Sequence, residues 1–300
     1  MKNSNRRQFL KNTALLGSTL LLPTCLAENS IFAASEKNAG IKFGLCTYLW
    51  GKDDNLPTLI ANCEKAGLAG VELRVEHKHL VEPELTADQR KEVRKRFADS
   101  PVKLVGFGTN EAFHYEEADR VKACIERAKA YVKLSADCGG LGVKVKPNDL
   151  PKKVAHEKTF DQIAKALEEL GRFAADYGQE IRLENHGQCA RIPYMKAIID
   201  RVSAKNVGLC WNCNTVDYEE PGLTAHFRSV RNRLASTMHV HEIPTGKYPF
   251  DEFVGQVVEA KYQGWFLFEC HKVVKDYVSA SIELRQKYQA LIDAASKGTK

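Results

Sequence analysis

The sequence predicts an α/β fold in the form of a single (β/α)8 TIM barrel. Eight short apolar runs alternate along the chain with segments of helical periodicity, and no low-complexity stretch interrupts them. This alternation is typical of βαβ units, whose strands pair in parallel. The length of 300 residues and the hydrophobic content of 44% suit one barrel. A doubly wound sheet is the alternative, but no glycine-rich phosphate-binding turn follows an early strand.

Eight strands and seven helices are predicted from apolar periodicity and from glycines that end helices. Gly67, Gly139 and Gly178 each follow a helical pattern directly, as a glycine after a helix typically does. The predicted strands cover residues 42–48, 70–75, 101–106, 141–146, 181–187, 206–212, 234–241 and 265–269. The predicted helices cover residues 56–66, 87–98, 117–138, 160–177, 193–202, 250–262 and 278–294. A closed barrel would bring the carboxyl ends of all eight strands to one mouth.

The N-terminal segment has the pattern of an export signal. Residues 5–11 (NRRQFLK) resemble the twin-arginine motif, an apolar run covers residues 13–22, and small residues surround Ala34. The run is too short to cross a bilayer as a helix of the mature protein. We therefore expect a twin-arginine signal peptide at residues 1–34, a barrel domain at residues 35–300, and a periplasmic or otherwise exported protein. An uncleaved anchor is the alternative.

Charge and cysteine content argue against several classes of protein. The formal charge is +6, and part of it lies in the basic N-terminal segment, residues 1–34. The remaining charge is too small to favour nucleic acid or a membrane surface as a partner. Nine cysteines are scattered mainly among apolar residues, unlike the framework of a disulfide-rich domain. Cys210 and Cys213 form a CxxC pair, but they lie on a predicted strand, which argues against a redox or zinc role.

The fifth predicted strand ends in polar groups. Residues 181–187 read IRLENHG, and strand alternation places Arg182, Glu184 and His186 on one face. Barrels carry their chemistry at the carboxyl ends of their strands, so this end is a candidate functional site. The structural alternative is that Glu184 caps the following helix and His186 pairs locally.

Four consecutive predicted strands end in groups that suit metal binding. They supply Glu184, Asn212, His239 and Glu269. Two carboxylates, an amide and an imidazole at one mouth suit a divalent cation such as Mn²⁺, Mg²⁺ or Zn²⁺. Further polar residues expected at this mouth, as groups that bind substrate, are Glu72, Arg74, His114, Lys144, Lys146, His186, His241 and His271.

These segments resemble the xylose isomerase-like barrel family, which includes sugar phosphate isomerases/epimerases, ketose 3-epimerases and endonuclease IV. The resemblance extends from Ile41 to about Ala295 and rests on residues 67–73 (GLAGVEL), 182–187 (RLENHG), 238–242 (MHVHE) and 263–269 (QGWFLFE). It implies a metal held by Glu184, Glu269 and His239, with both glutamates also moving protons.

The sixth strand departs from the family pattern. The family usually has an Asp followed three residues later by a His, where this chain has Asn212 and Thr215. An amide oxygen can still bind a metal, but it brings no charge, so a divalent cation should bind more weakly. The missing imidazole removes a substrate contact.

The leading functional prediction is a sugar isomerase or epimerase. Its reaction would be metal-assisted proton transfer next to a carbonyl, on a sugar or keto-sugar derivative, with Glu184 and Glu269 as acid and base. An exported protein would meet free sugars or keto-glycosides, so a lyase or hydratase acting on 3-keto-glycosides with the same pair is an alternative.

Two further alternatives stay open. One is a non-catalytic or metal-free carbohydrate-binding barrel, which Asn212 supports. The other is an endonuclease IV-like nuclease, which would require several more histidines than the chain supplies. We expect a small-molecule sugar as the partner, no nucleic acid, and no membrane span in the mature protein. The sequence leaves homo-oligomerisation open.

Overall fold

The computed structural model describes residues 40–244 and 247–298, and within them eight parallel strands close into a barrel. Each strand pairs with the next, and the last pairs with the first. The strands are β1 (Lys42–Cys46), β2 (Gly70–Arg74), β3 (Lys103–Ala112), β4 (Gly142–Lys146), β5 (Glu180–Glu184), β6 (Val207–Asn212), β7 (Leu234–Val240) and β8 (Trp265–Phe268). The predicted barrel is confirmed. The predicted signal peptide, residues 1–34, lies outside the described residues.

Eight α-helices alternate with the strands in the described part of the chain. They are α1 (Leu56–Lys65), α2 (Ala87–Ala98), α3 (Ala118–Cys138), α4 (His156–Ala175), α5 (Ile192–Ile199), α6 (Leu223–Val230), α7 (Phe250–Glu259) and α8 (Tyr277–Gly298). The start of α2 is a capping box, in which Thr86 accepts from the Gln89 backbone and Gln89 accepts from the Thr86 backbone. Seven of these helices correspond to predicted ones.

Two elements differ from the sequence prediction. The helix α6 has no predicted counterpart, because the polar His226 interrupts its short buried stripe. The strand β3 continues to Ala112, well beyond its predicted end at Gly106. Gly106 has a φ of +148°, and a Cβ there would lie 2.1 Å from the carbonyl oxygen of Gly142. That glycine therefore permits close strand approach, although its pattern is typical of a strand end.

The barrel interior combines a small apolar cluster with buried charge. Cys46, Val105, Trp265 and Leu267 form a cluster separate from the main core, which lies between sheet and helices. Arg182 is fully buried inside the barrel. Its guanidinium needs the glycines around it, since a Cβ on Gly142 would lie 3.1 Å from Arg182 Cζ.

The described residues contain neither a disulfide nor a membrane-spanning helix. Their eight cysteines are unpaired and buried, including Cys210 and Cys213. None of their helices is long and apolar enough to cross a bilayer.

Candidate active site

The carboxyl ends of β5 to β8 bring together the four residues predicted as metal ligands. Glu184 ends β5, Asn212 ends β6, His239 lies near the end of β7, and Glu269 follows β8 directly. The backbones of Asn212 and His239 pair in register. All four side chains are buried. They lie at the end of the barrel where enzymes of this architecture carry their chemistry.

Asn212 bridges the two glutamates through its amide nitrogen. Nδ2 donates to Glu184 Oε1 at 2.7 Å and to Glu269 Oε2 at 2.9 Å. An ionised carboxylate only accepts hydrogen bonds, so the N–H2 group must face both glutamates and the oxygen must face away. Asn212 Oδ1 then accepts from Nε2 of His241 at 2.8 Å. The amide is therefore held at both ends.

His239 lies between three carboxylates. Its Nε2 is 3.0 Å from Glu72 Oε1, and its Nδ1 is 3.2 Å from Glu269 Oε2 and 3.6 Å from Glu184 Oε1. Burial alone would lower the pKa of His239, but Cys210 and Cys46, followed by Glu269 and Glu72, raise this pKa well above its ordinary value. The imidazole is consequently a cation in the metal-free protein.

Lys144 and Glu184 form a fully buried ion pair. Lys144 Nζ lies 2.6 Å from Glu184 Oε2. Burial would raise the pKa of Glu184, but Lys144 and His239 outweigh it and hold this pKa well below its usual range. Burial likewise opposes ionisation of Glu269, and His239 again lowers the pKa below the ordinary value. Both glutamates are therefore ionised at neutral pH.

Each carboxylate of the cluster also has an arginine or a lysine within 4 Å, although Arg182 is shared with Glu180. Arg74 Nη1 lies 3.3 Å from Glu269 Oε1, and Arg182 Nη1 lies 3.6 Å from Glu72 Oε2. Together with the Lys144–Glu184 pair, these contacts place a cation beside each buried carboxylate, which lowers the cost of burying it.

The cluster supplies donors for a divalent metal but arranges only some of them as ligands. Nδ1 of His239 is buried without a hydrogen-bond partner and lies beside Glu269, so this pair fits a cation. Ligand atoms lie within 4.8 Å of one another in two groups, Cys46 with His239 and Glu269, and His241 with Glu269 and His271. Asn212 turns hydrogens toward the glutamates, and Lys144 holds Glu184. The four-ligand site therefore stays a prediction.

The remaining predicted substrate-binding residues lie at different depths. The ring of His271 is exposed and its centroid lies 4.3 Å from that of His241. Burial and His271 lower the pKa of His241 to about 4. His186 is half-buried, with Nδ1 2.8 Å from Asn148 Oδ1. His114 pairs with Asp149 at 3.6 Å, and none of its contacts with the described residues reaches the glutamates.

Sequence reasoning did not assign a role to the polar group behind Asn212. Asn185 Nδ2 donates to the Asn212 carbonyl oxygen at 3.0 Å and to Asp217 Oδ1 at 3.1 Å. Tyr248 donates to the other oxygen of Asp217 at 3.1 Å. These contacts fix the backbone that carries the bridging amide. The signal was available in the Glu184-Asn185-His186 motif, but the partner of Asn185 lies on a distant segment.

The chain matches one family model over most of its length. The family model for a xylose isomerase-like TIM barrel matches residues 60–291. No curated protein matches the chain in sequence.

Solved structures of low sequence identity superpose on most of the chain. The apo 3-keto-D-glucoside 4-epimerase of E. coli has a TM-score of 0.68 and 16% identity, covering 83% of this chain and 99% of that one. An L-ribulose 3-epimerase has a TM-score of 0.72 and 14% identity, covering 86% and 97%. The protein IolI with a bound zinc atom has a TM-score of 0.66 and 17% identity, covering 86% and 99%. At these identities the likeness establishes the fold.

Proposed function

Since the chain belongs to the xylose isomerase-like TIM barrel family, we propose that it is an enzyme of the sugar isomerase or epimerase type. The proposed reaction is proton transfer next to the carbonyl of a sugar or keto-sugar derivative. One observation carries the proposal: two buried, ionised carboxylates, Glu184 and Glu269, share the amide of Asn212 at the barrel mouth. Epimerases of a 3-keto-glucoside and of L-ribulose among the structural neighbours support this substrate class.

The two glutamates would act as base and acid. One takes the proton from the carbon beside the carbonyl, and the electrons of the broken C–H bond move to the carbonyl oxygen. In an epimerisation the other returns a proton to the opposite face of the same carbon. In an isomerisation it returns a proton to the former carbonyl carbon, while the proton of the neighbouring hydroxyl group moves to the former carbonyl oxygen. Lys144 and Arg74 supply positive charge near the developing oxyanion.

The Lys144–Glu184 pair gives a way to strengthen the base during the reaction. A carboxylate with a lowered pKa stays ionised but accepts a proton weakly. A substrate oxygen that hydrogen-bonds Lys144 would loosen its contact with Glu184, now 2.6 Å. The pKa of Glu184 would then rise toward its ordinary value, because the main charge that lowers it is withdrawn.

Mn²⁺, Mg²⁺ or Zn²⁺ is the proposed cofactor, with His239 and Glu269 as the residues that would hold it. When bound, such a cation supplies Lewis acidity to a carbonyl or enediolate oxygen. His239 must be neutral to bind a metal. Glu72 lies 3.0 Å from Nε2, so it accepts a hydrogen bond from Nε2–H in the neutral ring and leaves the lone pair of Nδ1 for the cation.

We propose in addition that the protein is exported by the twin-arginine route. The arginine pair and apolar run in residues 1–34 support this. Replacing both Arg6 and Arg7 by Lys should block export and leave folding intact. Unchanged periplasmic yield of the double variant would argue against the signal.

Deuterium exchange separates an enzyme from a carbohydrate-binding barrel, the alternative that the uncharged Asn212 favours. Free ketoses and 3-keto-glycosides are incubated with the protein in D₂O, and deuterium at the carbon beside the carbonyl is measured. We expect exchange with the unaltered protein, and its loss in Glu184→Gln. Glu64→Gln, on the exposed face of α1, is the matched control. Sugar binding without exchange for every compound would favour the binding barrel.

A further inference from the structure

Lys146 is a buried cation that forms no ion pair with any residue that the structure describes. Its side chain, at the end of β4, is only 8% exposed. Among the described residues no carboxylate forms an ion pair with it, and its one hydrogen bond runs to Asn110 Oδ1 at 3.4 Å. Burying an unpaired ammonium group is costly, so buried lysines normally have a counter-ion.

The neighbouring cations use the available carboxylates. Lys144 is in direct contact with Glu184 and Arg74 with Glu269, so both glutamates attract Lys146 only from a distance and neither forms an ion pair with it. Burial and the charge of Lys144 lower the pKa of Lys146 to about 8. The amine therefore still carries its proton at neutral pH.

The position of Lys146 places this unpaired charge beside the proton-transfer groups. In the parallel register of β4 and β5, Val145 pairs with Leu183, so Lys146 lies beside Glu184 on the next strand. On the other side, exposed Asn110 accepts from Arg74 at 2.9 Å and from Lys146. Both of those bonds use its oxygen, which leaves its N–H2 group as a donor at the open mouth.

We propose that Lys146 and Asn110 bind the anionic group of an acidic sugar, either a carboxylate or a phosphate. This inference rests on the proposed sugar-directed function. The anionic group supplies a counter-ion in direct contact with Lys146, while the carbonyl end of the same molecule lies at Glu184 and Glu269. A hydrogen bond to a charged group of this kind strengthens binding about tenfold or more.

Titration calorimetry on the full chain tests the subsite with D-glucuronate, D-glucose 6-phosphate and D-glucose. We expect at least one acidic sugar to bind about tenfold or more tightly than D-glucose. A preference for glucuronate alone identifies a carboxylate, and a preference for the phosphate ester alone identifies a phosphate. Lys146→Met should remove the preference and Lys146→Arg should keep most of it. Lys272→Met, exposed in the loop after β8, is the matched control.

Thermal unfolding gives a second measurement that does not require a ligand. Lys146→Met deletes an unpaired buried charge, so its melting temperature should be equal to or higher than that of the unaltered protein. Equal affinity for the three sugars, no binding of either acidic sugar, or a preference that survives Lys146→Met would each overturn the inference. If neutral sugars exchange deuterium but acidic sugars bind no more tightly than D-glucose, the anion subsite is overturned and the proposed function is not. Acid-selective binding without exchange on any sugar overturns the proposed function alone.

Discussion

The two glutamates of β5 lie at opposite ends of one strand and are held in different ways. Glu180, at the amino end, accepts from Arg182 Nε at 2.8 Å and from the Ser236 backbone N–H at 2.9 Å. Glu184, at the carboxyl end, is held by the terminal groups of two buried side chains, Lys144 and Asn212. Sheet-bound partners fix Glu180 in place, whereas the partners of Glu184 can be exchanged for a substrate. One residue type thus joins strands at one end of the barrel and is placed for chemistry at the other.

The largest expected effect is a difference in the rate of deuterium exchange between Glu184→Gln and Glu180→Gln. Glu184→Gln should lower the rate of deuterium exchange by roughly 10²–10⁴-fold, the usual contribution of general acid–base catalysis. Glu180→Gln should leave this rate unchanged, because Glu180 does not reach the mouth. The exchange rate is measured on the same sugar for both variants. Full exchange in Glu184→Gln would remove the proton-transfer mechanism.

The second prediction concerns the free energy of unfolding, which Glu180→Gln should lower. Glu180→Gln should lower the free energy of unfolding by roughly 1–3 kcal/mol, because Arg182 and Ser236 lose a charged acceptor that is partly buried. Urea denaturation measures this, with Glu64→Gln as the exposed control. If Glu180→Gln is no less stable than the control, the amino end of β5 does not have the structural role assigned here.

A third prediction tests the bridging amide. Asn212→Asp restores the negative charge that the family usually has and should tighten Mn²⁺ binding roughly tenfold or more, because ligand charge strengthens binding of divalent cations. Competition with a chelator measures the affinity. Asn214→Asp is the matched control, since Asn214 donates to the backbone oxygens of Asn185 and Asn212 instead of facing the glutamates. Equal affinity in the unaltered protein and Asn212→Asp would exclude position 212 as a ligand.

The smallest expected effect is a pH dependence. The lowered pKa of Glu184 contributes stability above the unfolded value of about 4.3, and this stability is lost as the pH falls. The raised pKa of His239 contributes stability below about 6.5, and this is lost as the pH rises through the folded value. In metal-free protein the urea midpoint should therefore peak between these values. His239→Gln should flatten the alkaline side, whereas exposed His156→Gln should not.

The barrel could be predicted from the sequence because strands and helices alternate with regular apolar periods. The same regularity explains the two differences. The buried stripe of α6 includes the polar His226, which interrupts the apolar period, and Gly106 has the pattern of a strand end but permits close packing against Gly142.

The residues at the site could be predicted from the sequence, but the hydrogen bonds and ion pairs between their side chains could not. The strand ends indicate that Glu184, Asn212, His239 and Glu269 lie near one another. They do not indicate that Asn212 turns its nitrogen toward both glutamates, because that depends on the acceptors around it. The expectation that Lys144 binds substrate stays a prediction, and its buried ion pair with Glu184 could not be predicted from the sequence, because in the register of β4 and β5 the backbone of Lys144 pairs with Arg182.

The reactivity of the buried thiols can be used to measure local opening of the protein. A thiol reacts as the thiolate and only when a reagent can reach it. Burial raises the pKa of Cys63 in α1 and of Cys189 after β5 to about 12, so neither should react while its segment stays closed. The labelling rate of each cysteine, followed by mass spectrometry of its peptide, would therefore rank the segments by how often they open. Such a map requires no introduced probe and no change to the sequence.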